Sequence, residues 1–206
     1  MAEPRSLRQH RATAHSTYDN ISKKDKDELR AALVEEQKSL CCYCTGRIVA
    51  DPSVMKIEHW QCQDNYHQHQ LSYGNLLGAC LGGEGQAQGD QHCDTRKANS
   101  DLMWNPATAA HVIESRLRYL LDGTVESPDQ AFNDQLNSVL GLNLPWLRNS
   151  RKAVLDVVLD WWRSTPNARQ KVQRQIDQRT THAGEYQPFS PVAVWFLRQK
   201  VGGVAA

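Results

Sequence analysis

The sequence predicts an α+β protein in which a small cysteine-rich module separates an N-terminal helix from a helical C-terminal region. Three observations predict this class. Strong helix formers precede the first cysteine; all six cysteines fall between positions 41 and 93, among short β-type segments; and amphipathic helical patterns fill the chain beyond position 128. We divide the 206 residues into an N-terminal arm and helix (1–40), the cysteine-rich module (41–100) and a β-hairpin with the helical C-terminal region (101–206).

The N-terminal part is predicted to combine an irregular arm with one helix. Residues 1–20 are polar and show no clear period. Ser22 has the character of an N-cap, with Asp25 three positions later, and it opens a run of helix formers. This helix has one apolar stripe, made of Leu29, Leu33 and Leu40. Such a stripe predicts packing on a core.

The cysteine-rich module is predicted to contain short elements joined by a long loop. Two β-type segments, Arg47–Ala50 and Met55–Trp60, flank an Asp-Pro turn. We expect a short helix to start at Asn75 and a further element to follow Cys93. The glycine-rich run GACLGGEGQAQG between them predicts a long flexible loop.

Beyond position 100 the pattern predicts a β-hairpin and then four helices. Apolar and charged residues alternate over 113–121, Asp122-Gly123 supplies a tight turn, and Thr124–Glu126 is the return strand. The predicted helices are Ala131–Leu140, Leu147–Trp162, Asn167–Thr181 and Val192–Val201. Their apolar stripes, with Trp161-Trp162 and Trp195-Phe196, are typical of a core, and a docking surface for a partner is the second interpretation.

The charge and hydropathy of the chain limit the kinds of function that it can have. The net charge of +1 is low for a nucleic-acid binder, so a phosphate-binding surface would have to be local or belong to a partner. From Arg148 to Lys200 there are ten Lys or Arg against four Asp or Glu, which is a local basic excess. No stretch is apolar enough for a membrane span or a signal peptide, so we expect a cytoplasmic protein. A reducing compartment favours metal or catalytic roles for its cysteines.

Four of the cysteines have the pattern of a zinc site. Cys41 and Cys44 form a C-x-x-C pair, and Cys80 and Cys93 could complete a tetrahedral set if the glycine-rich segment between them loops out. His92 is a possible substitute ligand. A redox C-x-x-C motif and simple buried thiols are the alternatives, although no thioredoxin-like context surrounds the motif. The remaining thiols, Cys42 and Cys62, are left unassigned.

An ordered set of polar residues accompanies this frame. Glu58-His59 and Asn75 lie between the cysteine pairs, and Asp94, Arg96 and Lys97 follow the last cysteine. A lone His on a strand is usually structural, but the ordered pattern C-x-x-C, acid-His, Asn-x4-Cys, Cys-Asp-x-x-Lys is specific. In this pattern the chain resembles the HNH nucleases, and more closely the PtuB-like HNH effectors of Septu-type and retron-linked antiphage systems. The resemblance spans about residues 20–160 and is carried by the runs LCCYC, IEHW, LSYGNLLGAC, HCDTRK and LNLPWLRNSRKAV.

The resemblance implies a zinc-stabilised ββα-metal (HNH) module, in which a β-hairpin carries the acid-His pair and a helix carries Asn75. It implies a metal-dependent endonuclease that hydrolyses nucleic-acid phosphodiesters with Mg²⁺ or Mn²⁺, which Glu58 would ligate. Asp94 stands where many HNH enzymes carry their final His. PtuB-like proteins work with an ABC/SMC-like ATPase (PtuA-like), so nucleic acid and such an ATPase subunit are the expected partners.

The residue types fit this chemistry. Phosphodiester hydrolysis needs an activated water and a cation on the phosphate oxygens, and the neutral imidazole of His59 can take the proton of that water near physiological pH. In a regular strand Glu58 points to the opposite face from His59, which leaves its role less direct. The amide oxygen of Asn75 and the carboxylate of Asp94 are ligands suited to Mg²⁺ or Mn²⁺.

Phosphate contacts are assigned to Lys97 and Arg96. The alternative for Lys97 is a solvated lysine at a helix end. Trp60 and Tyr73 could stack on a base or sugar, and packing within a small module is the commoner role of such aromatics.

Two other functions compete with the nuclease. A non-catalytic zinc-binding adaptor would use the same cysteine frame and dock to a partner through its helical C-terminal region, and it would have no use for His59. A cysteine-nucleophile enzyme would use Cys62 near His59, and it would need no metal.

Overall fold

The structure, a computed structural model, describes residues 3–180 and 184–202. Over these residues the predicted α+β class is confirmed: helices predominate, and two small antiparallel sheets lie between them. The elements in chain order are α1 (Arg5–Arg11), α2 (Lys23–Glu36), β1 (Met55–His59), β2 (Leu76–Cys80), α3 (Cys93–Lys97), α4 (Ile113–Arg116), β3 (Arg118–Tyr119), β4 (Val125–Glu126), α5 (Gln130–Asp134), α6 (Pro145–Ser164), α7 (Ala168–Thr180) and α8 (Ser190–Val201).

The N-terminal arm is more ordered than its sequence predicts. The polar segment 1–20 contains helix α1, whose Leu7 is buried against α2 and is only 1% exposed. Helix α2 begins where the capping pattern predicts, because the Ser22 side chain accepts a hydrogen bond from the Asp25 backbone N–H at 3.1 Å. Leu29 and Leu33 of the predicted apolar stripe are buried on α2, which packs on α1, whereas Leu40 is buried beyond the end of the helix.

Strands β1 and β2 form the antiparallel hairpin at the centre of the cysteine-rich module, with His59 opposite Leu76. The predicted helix at Asn75 is wrong: Asn75 ends a single 3-10 turn and β2 follows at once. The predicted strand Arg47–Ala50 is reduced to one bridge, between Leu40 and Arg47. The β-type run LLGAC explains the first difference, because its burial on the hairpin outweighs any local helical preference.

The glycine-rich segment is closed at its base rather than being an open loop. The His92 backbone N–H donates to the Gly82 carbonyl at 2.9 Å, which brings the ends of the segment together. Gly82 has a φ of +60°, and a Cβ atom there would lie 2.1 Å from the His92 carbonyl oxygen, so only glycine fits. This closure places the start of α3 beside the end of β2.

The segment predicted as a long hairpin is only partly one. The turn at Asp122-Gly123 and the pairing of β3 with β4 are confirmed. The first half of the predicted strand instead forms the short helix α4, after a left-handed residue, Val112. Alternating polarity over a few residues fits either conformation, and here the tertiary contacts select one of them.

The C-terminal helices pack on one another as a second core. Helices α6, α7 and α8 match the predicted helices closely, although Thr181 lies outside the described residues. The predicted helix Ala131–Leu140 divides into α5 and a π-helical turn, Gln135–Val139. The large apolar side chains proposed for partner docking lie mainly against this core: Trp161, Trp162 and Trp195 pack around it, and Phe196 is buried within it. In the part of the chain that the structure describes, no helix is sufficiently long and apolar to cross a membrane.

Candidate functional site

The four cysteines predicted as zinc ligands come together. The sulfur atoms of Cys41, Cys44, Cys80 and Cys93 all lie within 4.8 Å of one another. Two of the pairs, Cys41 with Cys93 and Cys44 with Cys80, are separated by 3.8 Å. A tetrahedral zinc with Zn–S bonds of about 2.3 Å separates its sulfur ligands by about 3.8 Å. This four-cysteine cluster therefore has the dimensions of a site that could hold zinc.

Backbone N–H groups support the cluster as in a zinc knuckle. The Gly46 N–H points to the Cys44 sulfur at 3.4 Å, and the Cys80 N–H points to the Cys41 sulfur at 3.3 Å. Such contacts favour thiolates over thiols. Cys41 raises the pKa of Cys80, but the sulfur contacts with Cys44 and Cys93 lower that pKa to about 7. Metal binding would displace the remaining thiol protons.

The substitute ligand His92 and the two unassigned thiols, Cys42 and Cys62, lie outside the cluster. His92 is buried, and its Nε2 lies 3.5 Å from the Cys80 sulfur, so its ring contacts a ligand instead of replacing one. Burial raises the pKa of Cys42 well above its usual value, which keeps this neighbouring thiol protonated. Cys62 is buried in the loop after β1, and its sulfur is not among the four that meet.

His59 ends β1 and is held in one tautomer. Its Nε2 lies 3.0 Å from the Gln70 carbonyl oxygen, which can only accept, so Nε2 carries the proton. The other ring nitrogen, Nδ1, has no hydrogen-bond partner among the described residues and keeps a free lone pair. Burial lowers the pKa of His59 below 6.5, so the imidazole is neutral at physiological pH. The Tyr18 ring packs edge-on against it at 4.5 Å.

Glu58 belongs to a buried polar group on the other face of β1. Its Oε1 accepts from the Lys97 ammonium at 2.8 Å and from the Tyr43 hydroxyl at 2.7 Å. The exposed fractions of the Lys97 and Glu58 side chains are 0% and 3%. Burial and the nearby Asp94 carboxyl raise the pKa of Glu58, while Lys97 opposes them. The Lys97 ammonium also donates to the His59 carbonyl at 3.1 Å, which ties the end of α3 to the end of β1.

Asp94 and Asn75 have different surroundings. The Asp94 side chain is partly open to solvent, and its carboxylate faces the Glu58 carboxyl and the Lys56 ammonium, which lies 3.9 Å away. The Asn75 amide is occupied: Oδ1 accepts from the Gln61 N–H at 2.8 Å, and Nδ2 donates to the carbonyls of Gln61 and His69. Asn75 therefore stabilises the loop after β1, and the predicted role as a metal ligand does not fit this geometry.

The two residues predicted to contact phosphate both make contacts within the protein, to different extents. Lys97 is wholly buried, so both the phosphate contact and the solvated alternative are wrong; its pairing with Glu58 decides its position. Arg96 directs its guanidinium to the backbone carbonyls of Ser138, Gly89 and Gln91. Lys97 therefore cannot meet a nucleic acid in this structure, whereas Arg96 is partly exposed and its Nη2 has no hydrogen-bond partner among the described residues.

The two aromatic residues next to the site have structural contacts. Trp60 packs on the core that surrounds the cysteines. Tyr73 donates its hydroxyl to the Glu36 carboxylate on α2. These contacts favour the packing role over base stacking.

Sequence reasoning missed three residues that define the surroundings of His59 and Glu58. Tyr18, from the arm predicted to be irregular, covers His59; Gln70 fixes its tautomer through a backbone carbonyl; and Tyr43 lies inside the C-x-x-C pair and donates to Glu58. Of these three residues only Tyr43 could have been found from the sequence, because it lies within the C-x-x-C pair and must therefore lie close to the cysteines.

We expect Lys97→Met to destabilise the protein by roughly 3–5 kcal/mol, because it leaves the buried Glu58 carboxylate without its cation. Urea unfolding of the zinc-loaded protein measures this loss. The double variant Glu58→Gln/Lys97→Met should recover part of the stability, since it removes the uncompensated charge as well. Equal stability of Lys97→Met and the wild type would contradict the pairing.

Comparisons with known proteins do not assign the chain to a family. No protein-family model matches it, and no curated protein matches it. What the site can do must therefore be argued from its own geometry: a four-cysteine cluster that could hold zinc, beside a neutral histidine and two carboxyl groups.

Proposed function

We propose that the protein is a metal-dependent HNH endonuclease that hydrolyses nucleic-acid phosphodiesters, and that it serves as the effector nuclease of an antiphage defence complex with an ABC/SMC-like ATPase. The observation that carries the proposal is the state of His59. Its imidazole is neutral, its tautomer is fixed by the Gln70 carbonyl, and Nδ1 is left without a partner among the described residues. The lone pair on Nδ1 can therefore accept a proton, while the proton on Nε2 stays hydrogen-bonded to the Gln70 carbonyl.

In this mechanism His59 acts as the general base. Nδ1 takes a proton from the water that attacks the phosphorus, and the Gln70 carbonyl stabilises the imidazolium that forms by accepting from Nε2–H. The Tyr18 ring limits the rotation of the imidazole and keeps Nδ1 in one direction.

The chain's own carboxyl groups would supply the site for Mg²⁺ or Mn²⁺. Glu58 and Asp94 lie close together and offer hard oxygen donors, and Asp94 is partly open to solvent. When bound, such an ion stabilises the charge on the phosphate oxygens and on the leaving group. Lys97 and Tyr43 hold Oε1 of Glu58, so its second oxygen is the one left for the ion.

The four-cysteine cluster supports a ββα-metal arrangement built from β1, β2 and α3. Cys80 ends β2 and Cys93 begins α3, so a zinc ion bound to both would fix α3 against the hairpin. Asp94 then follows the last ligand directly and faces Glu58 on β1. In this arrangement the helix, α3, carries Asp94, whereas Asn75 lies in the turn that precedes β2.

A cleavage assay tests the proposal. The zinc-loaded protein is incubated with single-stranded DNA, duplex DNA and RNA in Mg²⁺ or Mn²⁺, alone and with the proposed ABC/SMC-like ATPase, which is first sought among the genes that neighbour its own. Metal-dependent cleavage of at least one substrate is expected, and the ATPase should co-purify with the chain. Binding to the ATPase without cleavage under any of these conditions would favour the zinc-binding adaptor.

The pH dependence of cleavage should reflect the buried state of His59. The base must be neutral to act, so kcat/KM should rise with pH and then reach a plateau. Because burial lowers the pKa of His59, the midpoint of this rise should lie below 6.5. A divalent cation at Glu58 and Asp94 would lower the pKa of His59 further, so the predicted shift of the midpoint to a pH below 6.5 would remain. A midpoint clearly above 6.5 would contradict His59 as the base.

A further inference from the structure

A chain of aromatic contacts leads away from the candidate site on the side of Trp60. Trp60 follows His59 directly, and its ring lies 6.4 Å from the His111 ring. The His111 ring lies 5.3 Å from that of Trp104. The guanidinium of Arg116 completes the set, 3.8 Å above the Trp104 ring. An arginine is therefore held two ring contacts away from the residue that follows the candidate base.

Hydrogen bonds connect this group to the loop beside the site. The Asn105 N–H donates to Nδ1 of His111 at 2.8 Å, and the Asn105 side chain donates to the Gly74 carbonyl at 3.1 Å. Gly74 precedes Asn75, whose amide holds the loop after β1. The position of Arg116 is thus fixed relative to His59 by contacts on both sides.

Arg116 is oriented but electrostatically unpaired. Its Nε donates to the His111 carbonyl at 2.7 Å, and its plane lies on the indole of Trp104. Within residues 3–180 and 184–202, no carboxylate lies within ion-pair distance of its guanidinium, and its two terminal nitrogens have no hydrogen-bond partner. This contrasts with Lys97, which is wholly buried against Glu58, and with Arg96, whose Nε and one terminal nitrogen donate to backbone carbonyls.

We propose that Arg116 binds a phosphate of the nucleic-acid strand close to the phosphodiester that the water activated by His59 attacks, an inference that rests on the proposed nuclease function. A guanidinium with two free terminal N–H₂ groups matches a phosphate in a bidentate geometry. Because the Trp104 ring and the His111 carbonyl already fix its orientation, little side-chain entropy is lost when it binds. Arg116 is a positioning residue: it holds the strand, and the chemistry stays with His59.

Binding measurements in a non-cleaving background test the inference. Full-length, zinc-loaded His59→Ala protein is titrated onto fluorescently labelled single-stranded DNA, duplex DNA and RNA of equal length, and anisotropy is followed at several salt concentrations. Arg116→Met keeps the aliphatic stem on Trp104 and removes the charge. It should weaken binding about ten-fold on every sequence and reduce the salt slope by about one.

The matched control is Arg118→Met, an exposed arginine two residues away with no ion pair in the described part of the chain. It should change affinity and salt slope much less. Arg116→Lys keeps the charge without the bidentate fork, so it should retain the salt slope while losing part of the affinity. Thermal unfolding verifies folding, and Arg116→Gln replaces the methionine variant if that variant unfolds.

The outcomes separate this inference from the nuclease function. Equal binding by the Arg116→Met and Arg118→Met variants would overturn the role of Arg116, even if the wild type cleaves. Weak binding by Arg116→Met in a protein whose wild-type form binds but never cleaves would support the phosphate site and count against the nuclease. Failure of the parent His59→Ala protein to bind any of the three probes would overturn the phosphate site.

Discussion

Replacing His59 by alanine is expected to lower the cleavage rate by about 10²–10⁴-fold, the usual contribution of a general base. The loss follows from the state of the His59 imidazole, which is neutral, is held in one tautomer by the Gln70 carbonyl and keeps Nδ1 without a partner among the described residues. Substrate binding should change little, because the imidazole acts on the attacking water. Single-turnover cleavage at saturating protein measures the rate without the contribution of binding.

His67→Ala is the matched control for this variant. His67 is an exposed histidine in the same loop region, and no hydrogen bond of its side chain is found in the described chain. Its rate should equal that of the wild type. If His59→Ala stays folded and cleaves like His67→Ala, the nuclease mechanism is lost. Inactivation by thiol alkylation without any metal requirement would point to Cys62 instead.

Removing the metal from the four-cysteine cluster should have the largest effect on stability. Structural zinc sites contribute roughly 10–16 kcal/mol of apparent binding free energy in small zinc-finger peptides, and whole domains are stable by only about 5–15 kcal/mol. Cys44→Ala or Cys93→Ala should therefore unfold the cysteine-rich module. Elemental analysis of the wild type should find about one zinc per chain, and circular dichroism with amide exchange should report the loss of the β1–β2 hairpin.

Cys62→Ala provides the comparison, because this thiol is buried but lies outside the cluster. It removes a small buried group and should cost about 1–2 kcal/mol without changing the zinc content. A wild type without zinc, or a module that remains folded in both cluster variants, would show that the four thiols are only a packed core.

Much of the fold could be predicted from local patterns. The N-cap at Ser22, the helices α6 to α8 and the β3–β4 turn follow from capping, amphipathic period and turn chemistry, which act within a few residues. The predictions at Asn75 and over 113–116 were wrong because short runs of this kind fit two conformations, and contacts distant in the chain select one of them.

For the candidate site, too, some features could be predicted from the sequence and others depended on the tertiary structure. The four zinc-ligand candidates and the acid-His pair could be identified from spacing and residue type alone, since these limit which side chains can form a metal site. Tertiary contacts were needed to learn that Lys97 is buried against Glu58, that Asn75 holds a loop, and that Arg116 is left unpaired on Trp104. Burial and pairing depend on residues far apart in the chain, and they determine whether a charge stabilises the protein or stays available to a ligand.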